Sequence, residues 1–189
     1  SGAGELIYLQ NSIEKNFVEN FKINKIKVTE EASSIKNIVE NEYLELLNFH
    51  KYASRIITDK APQNFRWIGF MKIFFPNCKI IHCNRDAKDN CLSIFKNNFP
   101  STHMDWSFSQ KDIADYYNLY FELMKFWSSM IPNEIYNANY KNIVNDKEAE
   151  IKKIIKFCGL EWDSACLNHH KNTKTPISTV SVTQARQPI

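Results

Sequence analysis

The chain has 189 residues, 43% of them hydrophobic, which is enough to bury the core of one domain. The formal net charge is only +3, which argues against nucleic acid as a partner. Four glycines are too few for a small all-β fold rich in tight turns. No apolar segment has membrane-spanning length, so no membrane partner is expected. Five cysteines without a Cys-x-x-Cys pair predict reduced thiols and a cytoplasmic protein.

Apolar periodicity and turn residues predict alternating helices and strands. In chain order, the predicted elements are helices over 12–22 and 32–54, a strand over 55–59, a helix over 64–75, a strand over 78–83, helices over 86–98 and 110–130, a strand over 135–140 and a helix over 146–158. Asp86 is the expected N-cap of its helix, and Gly159 is expected to end the last one. The alternation predicts an α/β fold with a parallel sheet, and residues 1–189 are interpreted as a single domain.

The aromatic side chains are expected to be core rather than a surface for stacking bases. The residues concerned are Phe74, Phe75, Phe95, Phe99, Phe121, Phe126 and Trp127. His82, inside a predicted strand, is expected to lie in the core or to support a neighbouring site residue.

Two predicted strands each end in a basic residue at a turn, Lys60 and Arg85. Ligands of parallel sheets bind at the carboxyl ends of the strands, and a cation beside a helix N-terminus suits a phosphate. Ser93 follows Asp86 by two helical turns and could add a hydroxyl donor. These features predict a ligand with more than one phosphate-like group. Alternatives stay open: Lys60 could point into solvent, Arg85 could pair with a neighbouring aspartate, and Ser93 could bond its own helix.

The stretches that hold these residues resemble the core of PAPS-dependent sulfotransferases, where PAPS is 3′-phosphoadenosine 5′-phosphosulfate. The most similar branch contains bacterial tetratricopeptide-linked sulfotransferases and is related to protein-tyrosine sulfotransferases. The segments that carry the resemblance are 59–64, 75–93, the Gly-Glu turn at 2–6, and the stretches 140–144, 157–163 and 181–189. The resemblance implies a three-layer sandwich like that of P-loop NTPases, with helices flanking a central parallel sheet.

The resemblance also implies the roles of individual residues. Arg85 and Ser93 would bind the 3′-phosphate of PAPS, and Lys60 would stabilise the bridging oxygen and the leaving 5′-phosphate. Glu5 would be the base that takes the acceptor's proton. The remaining nucleotide contacts would come from Tyr140, Ser181, Gln184 and Arg186. The acceptor would be a hydroxyl or an amine, and no metal would be required because Lys and Arg supply the charge.

One departure concerns the family's 5′-phosphosulfate loop, a Pro-Arg-Ser-Gly-Thr-Thr turn that precedes the Gly-Glu element and does not occur in these 189 residues. The sequence is therefore interpreted as part of a longer domain without its first strand and loop, and is expected to have little or no activity alone. Tetratricopeptide repeats could lie upstream, and a sheet edge would be left exposed. Two alternatives to an active transferase are a non-catalytic nucleotide-binding or scaffolding module of the same fold and a P-loop nucleotide kinase. The kinase would need a Walker lysine that is not visible.

Overall fold

The computed structural model of the chain describes residues 8–19, 36–45, 56–97, 99 and 102–171. The chain divides into two compact units, Ser1–Cys78 and Lys79–Ile189, which are described in turn. The interpretation of residues 1–189 as a single domain stays a prediction.

The described part of the first unit is mainly helical. Its elements are helix α1 (Tyr8–Ile13), which continues as a π-helical turn (Glu14–Val18), helix α2 (36–45), a 3-10 helix (Pro62–Trp67) and helix α3 (Ile68–Phe74). Apolar residues from these elements form one cluster, since they recur at helical spacing and so share a face. The buried members are Leu9, Ile13, Val39, Trp67 and Phe74.

Two predictions for this unit are corrected. The strand predicted over 55–59 is not a ladder in the described residues 56–60, where only residue 58 forms a single bridge. Pro62 opens the 3-10 helix directly afterwards, which leaves little room for an extended run. The helix predicted over 64–75 begins earlier, at Pro62, as a 3-10 helix, because the amide of Asn64 bonds the carbonyl of Ala61 three residues back.

The described part of the second unit combines a parallel sheet with helices. The strands are β1 (Ile80–Asn84) and β2 (Ile135–Asn139), and the helices are α4 (Ala87–Lys96), α5 (Gln110–Met130), α6 (Tyr140–Asn145) and α7 (Lys147–Phe157), with 3-10 helices at Thr102–Phe108 and Ser164–Lys171. The strands pair in register, with Ile80 opposite Ile135 and Asn84 opposite Asn139. The predicted helix over 110–130 is confirmed.

Helices α5 and α7 cover opposite faces of this sheet. His82 lies opposite Asn137 on one face, where it contacts Tyr120 of α5. Tyr136 is the strand neighbour of Asn137 and therefore points to the other face, where its ring lies 5.4 Å from that of Phe157 in α7. A helix layer on each face of a parallel sheet is the arrangement expected of an α/β fold.

Caps fix the helix ends in the second unit. Asp86 is the N-cap of α4, as predicted, because its carboxylate accepts from the amides of Lys88 and Asp89 at 2.9 and 3.2 Å. Gly159 follows α7 with a φ of 69°, and its amide and that of Leu160 bond back to the last turn. That pattern is a Schellman motif, in which glycine takes the left-handed position without strain.

The structure of the second unit differs locally from the predictions in three places. The segment 99–109, which lies between two predicted helices, contains the 3-10 helix Thr102–Phe108. Tyr140 begins α6 instead of ending β2, because Asn139 caps that helix. Not all of the aromatic stripe is core. Phe74 is buried, whereas Phe95, Phe121 and Phe126 are 42%, 54% and 48% exposed. Helices α4 and α5 pack against each other and carry apolar residues on more than one face, so contacts on one face cannot bury them all.

Candidate functional site

Two predicted nucleotide-binding residues lie together where the strands end. Asn84 and Asn139 are the last residues of β1 and β2 and lie opposite each other, so Arg85 and Tyr140 leave the sheet at the same edge. The guanidinium carbon of Arg85 lies 5.7 Å from the centre of the Tyr140 ring. A guanidinium over an aromatic face is a cation–π contact, which holds the planar cation in one orientation.

Arg85 also has an acidic neighbour. Its guanidinium lies 3.6 Å from the carboxylate of Asp89, one of the pairings left open by the sequence. Both side chains are largely exposed, at 46% and 60%, and such an ion pair stabilises a fold by only about 0–1 kcal/mol. A phosphate can therefore compete for this guanidinium at little cost.

The N-terminus of α4 offers less to an anion than the sequence suggested. Two amides of its first turn donate to the Asp86 side chain, so they are occupied in this structure. Ser93 lies two turns further along α4 and is half-buried, and its backbone carbonyl accepts from the side chain of Asn97 at 2.6 Å. Part of the helix end is therefore occupied, and anion binding by the side chains of Arg85 and Ser93 stays a prediction.

Lys60, the predicted catalytic cation, lies in the first unit and is exposed. The residue before it, Asp59, accepts a hydrogen bond of 3.0 Å from the hydroxyl of Tyr43 in α2. Pro62 starts the 3-10 helix two residues later. Lys60 therefore lies between Asp59, whose side chain is hydrogen-bonded to Tyr43, and the start of the 3-10 helix at Pro62. The other predicted site residues fall outside the described part of the chain: Glu5, Ser181, Gln184 and Arg186.

A cleft of about 310 Å³ opens on the α5 face of β1, beside Arg85. Its lining comes from β1, β2 and α5 and consists of His82, Asn84, Arg85, Tyr117, Tyr120, Phe121, Met124, Lys125, Ser128 and Asn137. His82 bonds on both sides, to the Asn137 side chain at 2.7 Å through Nδ1 and to the Tyr120 hydroxyl through Nε2. His82 is only partly buried, and its two partners are not among the predicted site residues, so the expectation that it supports a neighbouring site residue stays a prediction.

Two groups in or next to the sheet, Tyr120 and Cys83, have raised pKa values. Burial raises the pKa of the Tyr120 phenol to about 12, with a smaller contribution from Tyr117. Desolvation also raises the pKa of the Cys83 thiol, although the residue is partly exposed to solvent. The ordinary pKa values of these groups already lie above 7, so the raised values extend the neutral range to higher pH.

The strand asparagines and the α5 residues of this cleft were not predicted as site residues, and Phe121 was predicted as core. Asparagine is depleted in strands, and Asn84, Asn137 and Asn139 are three such residues in two strands of five residues each. That enrichment is the signal that could have indicated a polar site at this sheet. Within the ranges described above, no three His, Cys, Asp or Glu side chains are grouped to hold a metal ion. No helix in those ranges is long and apolar enough to cross a membrane.

Comparison with known proteins decides the family. A sequence model described as the sulfotransferase family matches residues 8–164, which includes most of the chain and the Arg85–Tyr140 contact. The chain belongs to the sulfotransferase family. The resemblance stated from the sequence motifs is thereby confirmed.

Individual relatives in this family are distant. An uncharacterized protein of Aquifex aeolicus is 33% identical over 135 residues, which cover 70% of this chain and 18% of that protein. Protein-tyrosine sulfotransferase A of Caenorhabditis elegans is 20% identical over 97% of the chain and 48% of its own length. The protein-tyrosine sulfotransferase of Drosophila melanogaster is 23% identical over 90% of the chain and 34% of its own length. The chain thus spans half or less of these relatives.

One solved structure shows the same fold. The sulfotransferase domain from the curacin biosynthetic pathway superposes with a TM-score of 0.57 at 15% identity, over 99% of this chain and 67% of that domain. At this identity the likeness concerns the fold alone. Together with the helix layers on both faces of the parallel sheet, it confirms the predicted α/β sulfotransferase fold.

Proposed function

We propose that this chain carries the nucleotide-binding residues of a sulfotransferase that moves the sulfuryl group of PAPS to an acceptor hydroxyl or amine. The observation that carries the proposal is the contact of Arg85 with Tyr140 where β1 and β2 end. Ligands of open parallel sheets bind at that edge, and an exposed guanidinium with a weak partner suits a phosphate.

In this proposal the 3′-phosphate is held by side chains of the second unit. Arg85 supplies two parallel N–H donors and Ser93 a hydroxyl, which together match a phosphate monoester. Tyr140 keeps the guanidinium in place. The C-terminal residues Ser181, Gln184 and Arg186 complete the nucleotide contacts.

The chemical step belongs to Lys60 and Glu5. The acceptor oxygen or nitrogen attacks the sulfur, the bond from sulfur to the bridging oxygen breaks, and adenosine 3′,5′-bisphosphate leaves. Glu5 takes the proton of the acceptor, and the Lys60 ammonium stabilises the charge that grows on the bridging oxygen and the 5′-phosphate. Transfer of this kind is achieved mainly by positioning and charge stabilisation, so the scheme uses lysine and arginine and no metal.

The names of the relatives suggest which acceptor to test. Because the matched proteins include protein-tyrosine sulfotransferases, a peptide tyrosine is the first acceptor to test. The cytoplasmic location and the fused tetratricopeptide repeats stay predictions.

The test is sulfuryl transfer from labelled PAPS in the natural full-length polypeptide, with Lys60→Ala beside the wild type. We expect the variant to lose about 100-fold or more in kcat, the usual effect of removing one transition-state charge contact. Its affinity for adenosine 3′,5′-bisphosphate should fall much less, because the 3′-phosphate contacts remain. Unchanged turnover in Lys60→Ala would refute the proposed role of Lys60. Nucleotide binding without transfer by the wild type would instead indicate a non-catalytic module.

A further inference from the structure

The backbone on both sides of Lys60 is fixed by contacts within the first unit. On one side, the Asp59 carboxylate accepts a 3.0 Å hydrogen bond from the Tyr43 hydroxyl. On the other side, the carbonyl of Ala61 accepts from the amide of Asn64 at 3.0 Å as the 3-10 helix begins at Pro62. Proline at that position also restricts the backbone of the residue before it. The segment from Asp59 to Pro62 is thereby held at both ends, with Lys60 inside it.

Tyr43 is itself anchored in the core of the first unit. Its ring packs on that of Phe75 with the ring centres 5.3 Å apart, and it lies against the buried cluster that includes Val39 and Phe74. A tyrosine with its ring in the core and its hydroxyl at the edge has few accessible positions. The core therefore holds the hydroxyl in place, and the hydroxyl in turn restricts the Asp59 carboxylate through the hydrogen bond.

We propose that Tyr43 and Asp59 are positioning residues, which hold Lys60 where its ammonium meets the 5′-phosphate of the nucleotide. This inference rests on the proposed function of Lys60 and extends it to two residues that do not touch the nucleotide. Lysine has a long side chain with large rotamer freedom, so a fixed backbone is what limits the volume its ammonium can occupy. A small displacement of such a group is costly in a transferase, because its contribution depends on position.

The test separates positioning from general stability by using two nucleotides that differ only in the 5′-phosphate. Tyr43→Phe keeps the ring on Phe75 and removes only the hydroxyl. Calorimetric titration should show affinity for adenosine 3′,5′-bisphosphate reduced about tenfold in Tyr43→Phe and in Asp59→Ala, while affinity for adenosine 3′-monophosphate changes by less than about twofold.

Two further variants complete the design. Tyr136→Phe makes the same change at another tyrosine whose ring packs on a phenylalanine, and it should leave both affinities unchanged. Because Tyr43 acts through Lys60, the double variant Tyr43→Phe/Lys60→Ala should bind the bisphosphate no more weakly than Lys60→Ala alone.

Other outcomes would reject either the positioning role of Tyr43 or the proposed function itself. If Tyr43→Phe lowers the affinity for both nucleotides equally, the effect is a general structural one. If it lowers neither affinity, the substitution does not affect Lys60. Either result overturns the positioning role. If Lys60→Ala binds the bisphosphate as the wild type does, the 5′-phosphate contact is wrong and the positioning role fails with it. If the folded wild type binds neither nucleotide, the proposed function itself is rejected.

Discussion

At the scale of single residues, the carboxylate of Glu42 in α2 contacts three side chains of the first unit. It accepts from the Ser12 hydroxyl and from the Asn16 amide at 3.1 Å, and it lies 3.4 Å from the Lys15 ammonium. The Ser12 hydrogen bond holds the pKa of Glu42 below its usual value of 4.5, with Lys15 acting in the same direction and burial opposing it. The carboxylate thereby links α2 to α1 and its π-helical continuation.

This pKa makes the stability of the first unit depend on pH. A carboxyl with a lower pKa in the folded chain than in the unfolded chain stabilises the fold above the unfolded pKa, and that contribution is lost as the pH falls through the folded pKa. We expect Glu42→Gln to unfold at lower urea concentration than the wild type at pH 7. The difference should shrink steadily as the pH falls below 4.5.

Urea unfolding at several pH values between 7 and 3 measures this effect. Glu40→Gln is the matched control on the same helix, where the carboxylate lies 3.6 Å from Lys36 in an i, i+4 pair. A stability difference between wild type and Glu42→Gln that does not vary with pH would contradict the assigned role of the Glu42 charge.

At the scale of elements, the helix ends of the second unit are the features best predicted from the sequence. Asp86 and Gly159 were identified as caps, and both have the predicted contacts. Capping depends on one side chain or one backbone conformation and on amides a few residues away, so a local sequence contains the information. The bounds of α5 were also predicted correctly, and in the structure the Ser109 hydroxyl accepts from the amide of Asp112 at the start of that helix.

Removal of the Asp86 cap should destabilise the second unit by about 1 kcal/mol, the usual effect of replacing an N-cap aspartate with alanine. The measurement is the free energy of unfolding of Asp86→Ala in urea at pH 7. Asp115→Ala is the control, since that aspartate forms only an exposed pair with Lys111, and its loss should change stability by less than about 0.5 kcal/mol. Equal changes in the free energy of unfolding for the two substitutions would show that the Asp86 cap adds no more stability than an exposed aspartate.

Other features could not be read from the sequence because they depend on partners distant in the chain. The run before Lys60 looked like a strand, but a strand requires a neighbour, and residues 56–60 form only one bridge. The contact of Arg85 with Tyr140 joins positions 55 residues apart and depends on the register of β1 with β2. The Tyr43 contact with Asp59 likewise required the packing of α2, which periodicity alone does not give.

At the scale of the whole molecule, the family assignment rests on motifs spread along the chain. The family model covers residues 8–164 and so includes residues of both compact units. Fold and family were therefore predictable from a few segments. The acceptor was not, since it depends on loops that differ among members of one fold.

The central claim is that Arg85 binds the 3′-phosphate of the nucleotide. The most direct measurement is calorimetric titration of this chain with adenosine 3′,5′-bisphosphate and with 5′-AMP. The titrations compare the wild type with Arg85→Ala. Lys88→Ala is the control for loss of an exposed cation on α4. We predict that the wild type and Lys88→Ala prefer the bisphosphate, and that Arg85→Ala loses about 10- to 100-fold in affinity for it and no longer distinguishes it from 5′-AMP. Equal affinity of the wild type for the two nucleotides, or undiminished bisphosphate binding by Arg85→Ala, would contradict the account.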